Sequence, residues 1–148
     1  MISQTAEYAL RAIVYLAGQG EAQTTQQIAE VTRVPPGYLA KVMLSLARRG
    51  LVQSQRGLHG GFSMLRSPQE LTVWDVIEAV DPIPRIHTCP LGLESHGTNL
   101  CPLHRRLDNA AAMVETAFRS STVAELLAEP TTSAPLCEFP RAAAGKST

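Results

Sequence analysis

Apolar side chains along the middle of this chain recur first at a helical spacing and then at a strand spacing, and the change of period places the elements. Residues 25–31 carry Ile28 and Val31 toward one side, with Thr25 placed to cap the first turn, which predicts a short helix. Residues 32–37 supply a tight connection, with Pro36 or Gly37 able to open the next helix. In residues 38–49, Leu39, Val42, Met43, Leu46 and Ala47 fall on one stripe. Tyr38, Lys41, Ser45, Arg48 and Arg49 are left toward solvent, and Gly50 stops the helix. Residues 51–55 and 62–65 then read as two short strands around the glycine-rich tip 56–61. Two short helices, a tight turn and a hairpin predict a winged helix-turn-helix. Its fold class is mainly α with a small β-hairpin wing, and its second helix suits a DNA major groove.

Charge sharpens that expectation. The chain holds 13 Lys or Arg and 13 Asp or Glu, a formal net charge of zero. Yet Arg33, Lys41, Arg48, Arg49, Arg56 and Arg66 lie in a stretch, residues 31–69, that contains no acid, and a polyanion would feel this field. Lys41, Arg48 and Arg49 are expected on phosphates. Tyr38, Ser45 and residues 35–37, among them Pro36 and Gly37, are expected near base edges, with Thr25 and Arg33 beside them. Arg56, Gly57, His59 and Gly60 would set the wing tip in the minor groove or on its flanking backbone, where glycines allow close approach. A chain of 148 residues suits one compact domain with a sizeable core. No apolar run approaches a membrane span and the N-terminus lacks signal-peptide zones, so a cytoplasmic protein with no membrane association is expected.

The cysteines carry the second signal. There are three, an odd count that argues against a disulfide framework. Cys89 and Cys101 share residues 86–104 with His87, His96 and His104, two prolines and two glycines, a loop composition that does not usually bury thiols for packing. Thiolate and imidazole are ligands preferred by iron–sulfur clusters, zinc and copper. Cys101 and His104 stand three apart, so they would converge on one ion if Pro102 opens the next helix. That helix is expected over residues 103–120, with Leu103, Leu107, Ala110 or Ala111, Val114, Ala117 and Phe118 on one stripe. From Glu129 the composition shifts to Pro, Thr, Ser and Ala, which predicts a flexible tail. A thiol enzyme using Cys89 or Cys101 with His96 or His104, oriented by Asp81 or Glu94, is disfavoured. No phosphate-cradling loop, nucleophile elbow or cofactor fingerprint accompanies it.

Residues 38–52, followed by residues 54–62, resemble the winged-helix repressors of the Rrf2 family. Residues 8–17 are similar to that family's first helix and residues 71–81 to the helix after its wing, so the resemblance covers roughly residues 1–128. It implies a DNA-binding unit at 1–82, a sensor loop at 83–101, a dimerisation helix region at 102–128 and a flexible tail at 129–148. It also implies a homodimer on double-stranded DNA with a pseudo-palindromic operator, and a regulator, most simply a repressor, rather than an enzyme. Family members that sense iron, nitric oxide or redox state carry three cysteines in this loop. Cys89 and Cys101 match the first and last, and His104 matches a histidine found in one branch. The middle cysteine is absent, with Ser95 and His96 near its place. Three readings stay open: an iron–sulfur cluster, [2Fe–2S] first, on Cys89, Cys101 and His104 or His96; a zinc site; or a metal-free thiol sensor. Docking to a partner protein is a further route of control. Glu7 aligns with an acidic ligand that other members supply in trans, although a helical pair with Arg11 explains it equally. Cys137 lies outside the pattern, as a bystander or a redox partner.

Overall fold

A computed structural model of the protein describes residues 1–96 and 99–130. Its elements are α1 (Gln4–Ala17), α2 (Thr25–Thr32), α3 (Pro36–Arg48), β1 (Val52–Gln55), β2 (Gly61–Met64), α4 (Val73–Val80), α5 (Pro102–Arg119) and α6 (Val123–Ala128). The expected mainly α fold with a two-stranded wing is the fold observed. The tail from residue 131, including Cys137, lies outside the described residues.

Helix α1 is the spindle, packing against α2, α3, α4, α6 and β2. It buries Ala6, Ala9, Ala12, Ile13 and Leu16, and its alanines let neighbouring helices approach closely. The α3 stripe meets it with Leu39, Val42, Met43 and Leu46 buried as the spacing predicts, while Ala47 stays partly exposed. Pro36 occupies the first turn of α3, where its missing N–H costs nothing.

Capping boxes set three helix starts, and one corrects the expected cap. Thr24, not Thr25, caps α2. Its hydroxyl accepts from the Gln27 amide at 3.1 Å, and the Gln27 side chain accepts from the Thr24 amide at 2.8 Å. The box requires its partner three residues on, and Gln27 stands three from Thr24. Thr72 with Asp75 and Thr122 with Glu125 repeat the device on α4 and α6. Helix α6 was not anticipated, although its threonine and glutamate at that spacing were a readable start signal.

The wing has one more pairing partner than the sequence suggests. β1 and β2 pair antiparallel from Val52↔Met64 to Gln55↔Gly61. The other edge of β2 is bridged by Gln23, whose amide donates to the Phe62 carbonyl at 2.8 Å and whose carbonyl accepts from the Phe62 amide at 2.7 Å. The hairpin is thereby fastened to the segment that precedes α2. At that contact Gly61 holds φ +138, and a Cβ there would lie 2.4 Å from the Gln23 carbonyl oxygen.

Candidate nucleic-acid interface and cysteine loop

Tyr38, Lys41, Arg48 and Arg49 are exposed along α3, as are Pro36 and Gly37 at its start and Arg33 in the turn before it. Arg33 takes the left-handed conformation that ends α2, φ 57 and ψ 30, while its neighbour Val34 is buried and pins the turn. Ser45 is half-buried, its hydroxyl donating to the Lys41 carbonyl at 3.2 Å, and Thr25 is half-buried in the first turn of α2. Leu44, half exposed on the same helix, did not figure in the sequence reading.

Tyr38 is less free than its place in the sequence suggests. Its hydroxyl is 2.6 Å from the Thr5 hydroxyl, and its ring meets the edge of Tyr8 with centroids 5.4 Å apart. It therefore fastens α3 to α1 while remaining 40% exposed. Beside it Arg11 pairs with Glu7 at 2.8 Å and donates to the Thr32 carbonyl at 3.1 Å, closing the end of α2.

At the wing, Arg56, Gly57, Leu58 and His59 are exposed and Gly60 partly so. Of the six cations in the acid-free stretch, only Arg66 forms an ion pair among the described residues, with Asp75 at 3.4 Å. Arg66 thus braces α4, while the other five form no ion pair among the described residues.

The cysteine loop resolves into two donor pairs. Cys89 is buried, with its sulfur 3.8 Å from Nδ1 of His96. Cys101 is the N-cap of α5 and lies 3.4 Å from Nδ1 of His104, the convergence expected once Pro102 opens the helix. Hydrogen bonding from the Leu93 backbone, then from the His96 side chain, holds the Cys89 thiol below its usual pKa against the opposing effect of burial. Among the described residues no three His, Cys, Asp or Glu side chains converge in the manner of a metal site. The structure brings Cys89 to His96 and Cys101 to His104. It leaves Glu7 with Arg11.

A polar strap, missed in the sequence, ties the loop to α5. Arg85 forks onto Asp108 with bonds of 2.8 and 2.9 Å and reaches Glu115 at 3.0 Å, and the Ile86 amide donates to Asp108 at 2.8 Å. Arg119 pairs with Glu115 at 2.8 Å and lies over the ring of Trp74 in α4. The bound guanidinium and the Ile86 amide hold the Asp108 carboxyl well below the usual range, and Arg119 with Arg85 lowers that of Glu115. The two acids stand seven apart on a helix, two turns on one face, which was the available signal.

Helix-turn-helix, hairpin wing and a cationic recognition helix define a winged-helix DNA-binding transcriptional regulator rather than an enzyme. The chain belongs to the Rrf2 family, whose model, described as an iron-dependent transcriptional regulator, matches residues 2–129. A relative from Aquifex aeolicus, named as an HTH-type transcriptional regulator, is 32% identical over 131 residues, covering 86% of this chain and 91% of that protein. Among solved structures, CymR (YrzC), the global cysteine regulator of B. subtilis, superposes with a TM-score of 0.69 at 26% identity. That match covers 85% of this chain and 95% of CymR. T. potens IscR is similar at a TM-score of 0.69 and 25% identity, over 86% of this chain and 85% of its own. No helix among the described residues is long and apolar enough to cross a membrane.

Proposed function

We propose that the chain binds operator DNA as a two-fold dimer, with α3 in the major groove and the wing on the minor groove or its flanking backbone. The observation that carries this reading is the set of exposed cations, Arg33, Lys41, Arg48, Arg49 and Arg56, from a stretch of sequence that holds no acid. Lys41, Arg48 and Arg49 neutralise phosphates; Pro36, Gly37 and Ser45 approach base edges, with Thr25 and Arg33 at the margin. Tyr38, anchored by Thr5 and Tyr8, sets the angle of α3 as well as touching DNA. Arg56, Gly57, His59 and Gly60 present the wing. Residues 1–82 act as the DNA-binding unit, 83–101 as the sensor loop and 102–128 as the dimer region. The absence of any buried residue from the 18 of α5 supports the dimer.

The family's iron dependence and the donors of the loop support an iron–sulfur cluster as the sensing group. Two thiols and two imidazoles in close pairs suit such a group chemically. Cys89, Cys101 and His104 would hold it, with His96 as the fourth donor, because Glu7 is already paired with Arg11. When bound, the cluster supplies a redox- and ligand-sensitive centre. The chain's own part is mechanical. Arg85 and Ile86 join the root of the loop to Asp108, so displacement of the loop is passed to α5 and from there to the spacing of the two DNA-reading heads.

Anaerobic purification with iron, sulfide and zinc analysis tests this. Matched iron and sulfide are expected in the wild type, absent in Cys89→Ala and Cys101→Ala, diminished in His96→Ala and retained in Glu7→Gln. A colourless, metal-free wild type contradicts the cluster. It would favour a metal-free thiol sensor, a second reading supported by the lowered pKa of Cys89 beside His96.

A further inference from the structure

The geometry points to Leu58 as an apolar wedge that reads the minor groove by shape. Leu58 is 96% exposed at the tip of the wing. It sits at the centre of a turn from Gly57 to Gly60, closed by the Gly60 amide donating to the Gly57 carbonyl at 3.0 Å. The backbone alone fixes this turn. Gly57 holds φ +104, and a Cβ on Gly60 would lie 2.6 Å from the Gln55 carbonyl oxygen. Nothing in the turn requires a leucine, a position where Gly, Pro, Asn, Asp and Ser are the usual choices. The fold gains no burial from it.

The surroundings select the occupant. Arg56 and His59 flank Leu58, both are exposed, and no acid occurs between residues 31 and 69. An apolar group beside Arg56 on bare glycine backbone complements a groove with sugar walls and a phosphate rim, and Glu21 is the acid that shares a hollow with Leu58, His59 and Gly60. It does not complement an apolar protein surface. A leucine side chain has no hydrogen-bonding atom, so it discriminates through groove width and ease of unstacking rather than through base edges. The wing is held rigidly for this by the pairing of β2 with Gln23. The inference rests on the reading that the wing faces DNA.

The test uses the full-length protein and duplexes selected by it from a random pool, with affinity followed against salt for wild type, L58A and R56A. L58A should melt like the wild type and bind the selected duplex about a hundred-fold more weakly, about ten-fold for the leucine of each wing. Its slope of log affinity against log salt should be unchanged, and its preference should weaken at positions flanking those read by α3. R56A should lower that slope by about two, one for each wing of the dimer. R56A weakened with L58A at wild-type affinity and preference overturns the Leu58 assignment alone. Both variants at wild-type affinity overturn the wing reading and the inference with it.

Discussion

Replacing Gly61 with alanine is expected to release the wing from the body of the protein and to cost a large part of its stability. The added Cβ would fall 2.4 Å from the Gln23 carbonyl oxygen and 2.5 Å from its carbon, and both are backbone atoms that no rotamer change can move aside. The glycine also holds φ +138, a conformation that L side chains rarely adopt. Strain of about 1–3 kcal/mol, together with two lost backbone hydrogen bonds at about 1 kcal/mol each, gives a loss of roughly 3–5 kcal/mol. Against a typical domain stability of about 5–15 kcal/mol that is a large fraction. Gly57→Ala is the matched control. It too has positive φ, +104, but a Cβ there meets nothing within 4 Å, so only conformational cost remains, about 1 kcal/mol. Urea unfolding of the two variants measures the difference. Equal stability of G61A and G57A would mean that the contact with Gln23 does not hold the wing.

The second large effect concerns α5. Leu107→Glu is expected to leave the chain folded, to convert dimer into monomer, and to lower operator affinity by about two to four orders of magnitude as two linked heads become one. Phe118, near the end of the helix, packs among the residues around Ala6 and Ile77, and Asp108 and Glu115 receive Arg85. Leu103, Leu107 and Met113 are 62%, 52% and 73% exposed. Three large apolar side chains on one exposed helix are a cost in water that a second copy removes. Because Leu107 is exposed and Asp108 keeps its bond to Arg85, the substitution spares the fold of the single chain. Sedimentation velocity reads the oligomeric state, and anisotropy on a selected duplex reads the affinity. An L107E protein that stays dimeric with unchanged affinity removes α5 from the interface.

Local periodicity made α2, α3, the hairpin and α5 legible, and the family resemblance supplied α1 and α4. An amphipathic stripe such as Leu39, Val42, Met43 and Leu46 needs no knowledge of what lies across from it. What escaped was decided by partners far along the chain. Tyr38 reads as a solvent-facing residue of a recognition helix, and only the fold brings Thr5, 33 residues away, to its hydroxyl. Gln23 reads as loop because a single bridge to Phe62 leaves no alternation to detect. The apolar stripe of α5 reads as one face, yet the strap at Arg85 claims part of that helix for Asp108 and Glu115, leaving Leu103 and Leu107 outward. In the loop, composition singled out the thiols and imidazoles, and the structure sets four of them in two separate pairs. Their sorting into Cys89 with His96 and Cys101 with His104 depended on where Pro102 starts α5 and on the turn that returns His96 toward Cys89.

The central claim is that two copies of this chain read DNA together through α3 and the wing. Selection of bound duplexes from a random pool, followed by a titration giving the number of chains per duplex, tests it most directly. The account predicts an inverted repeat, with half-sites about one DNA turn or a multiple of it apart, bound by two chains. Failure to enrich any sequence, or enrichment of an asymmetric site bound by one chain, would contradict it.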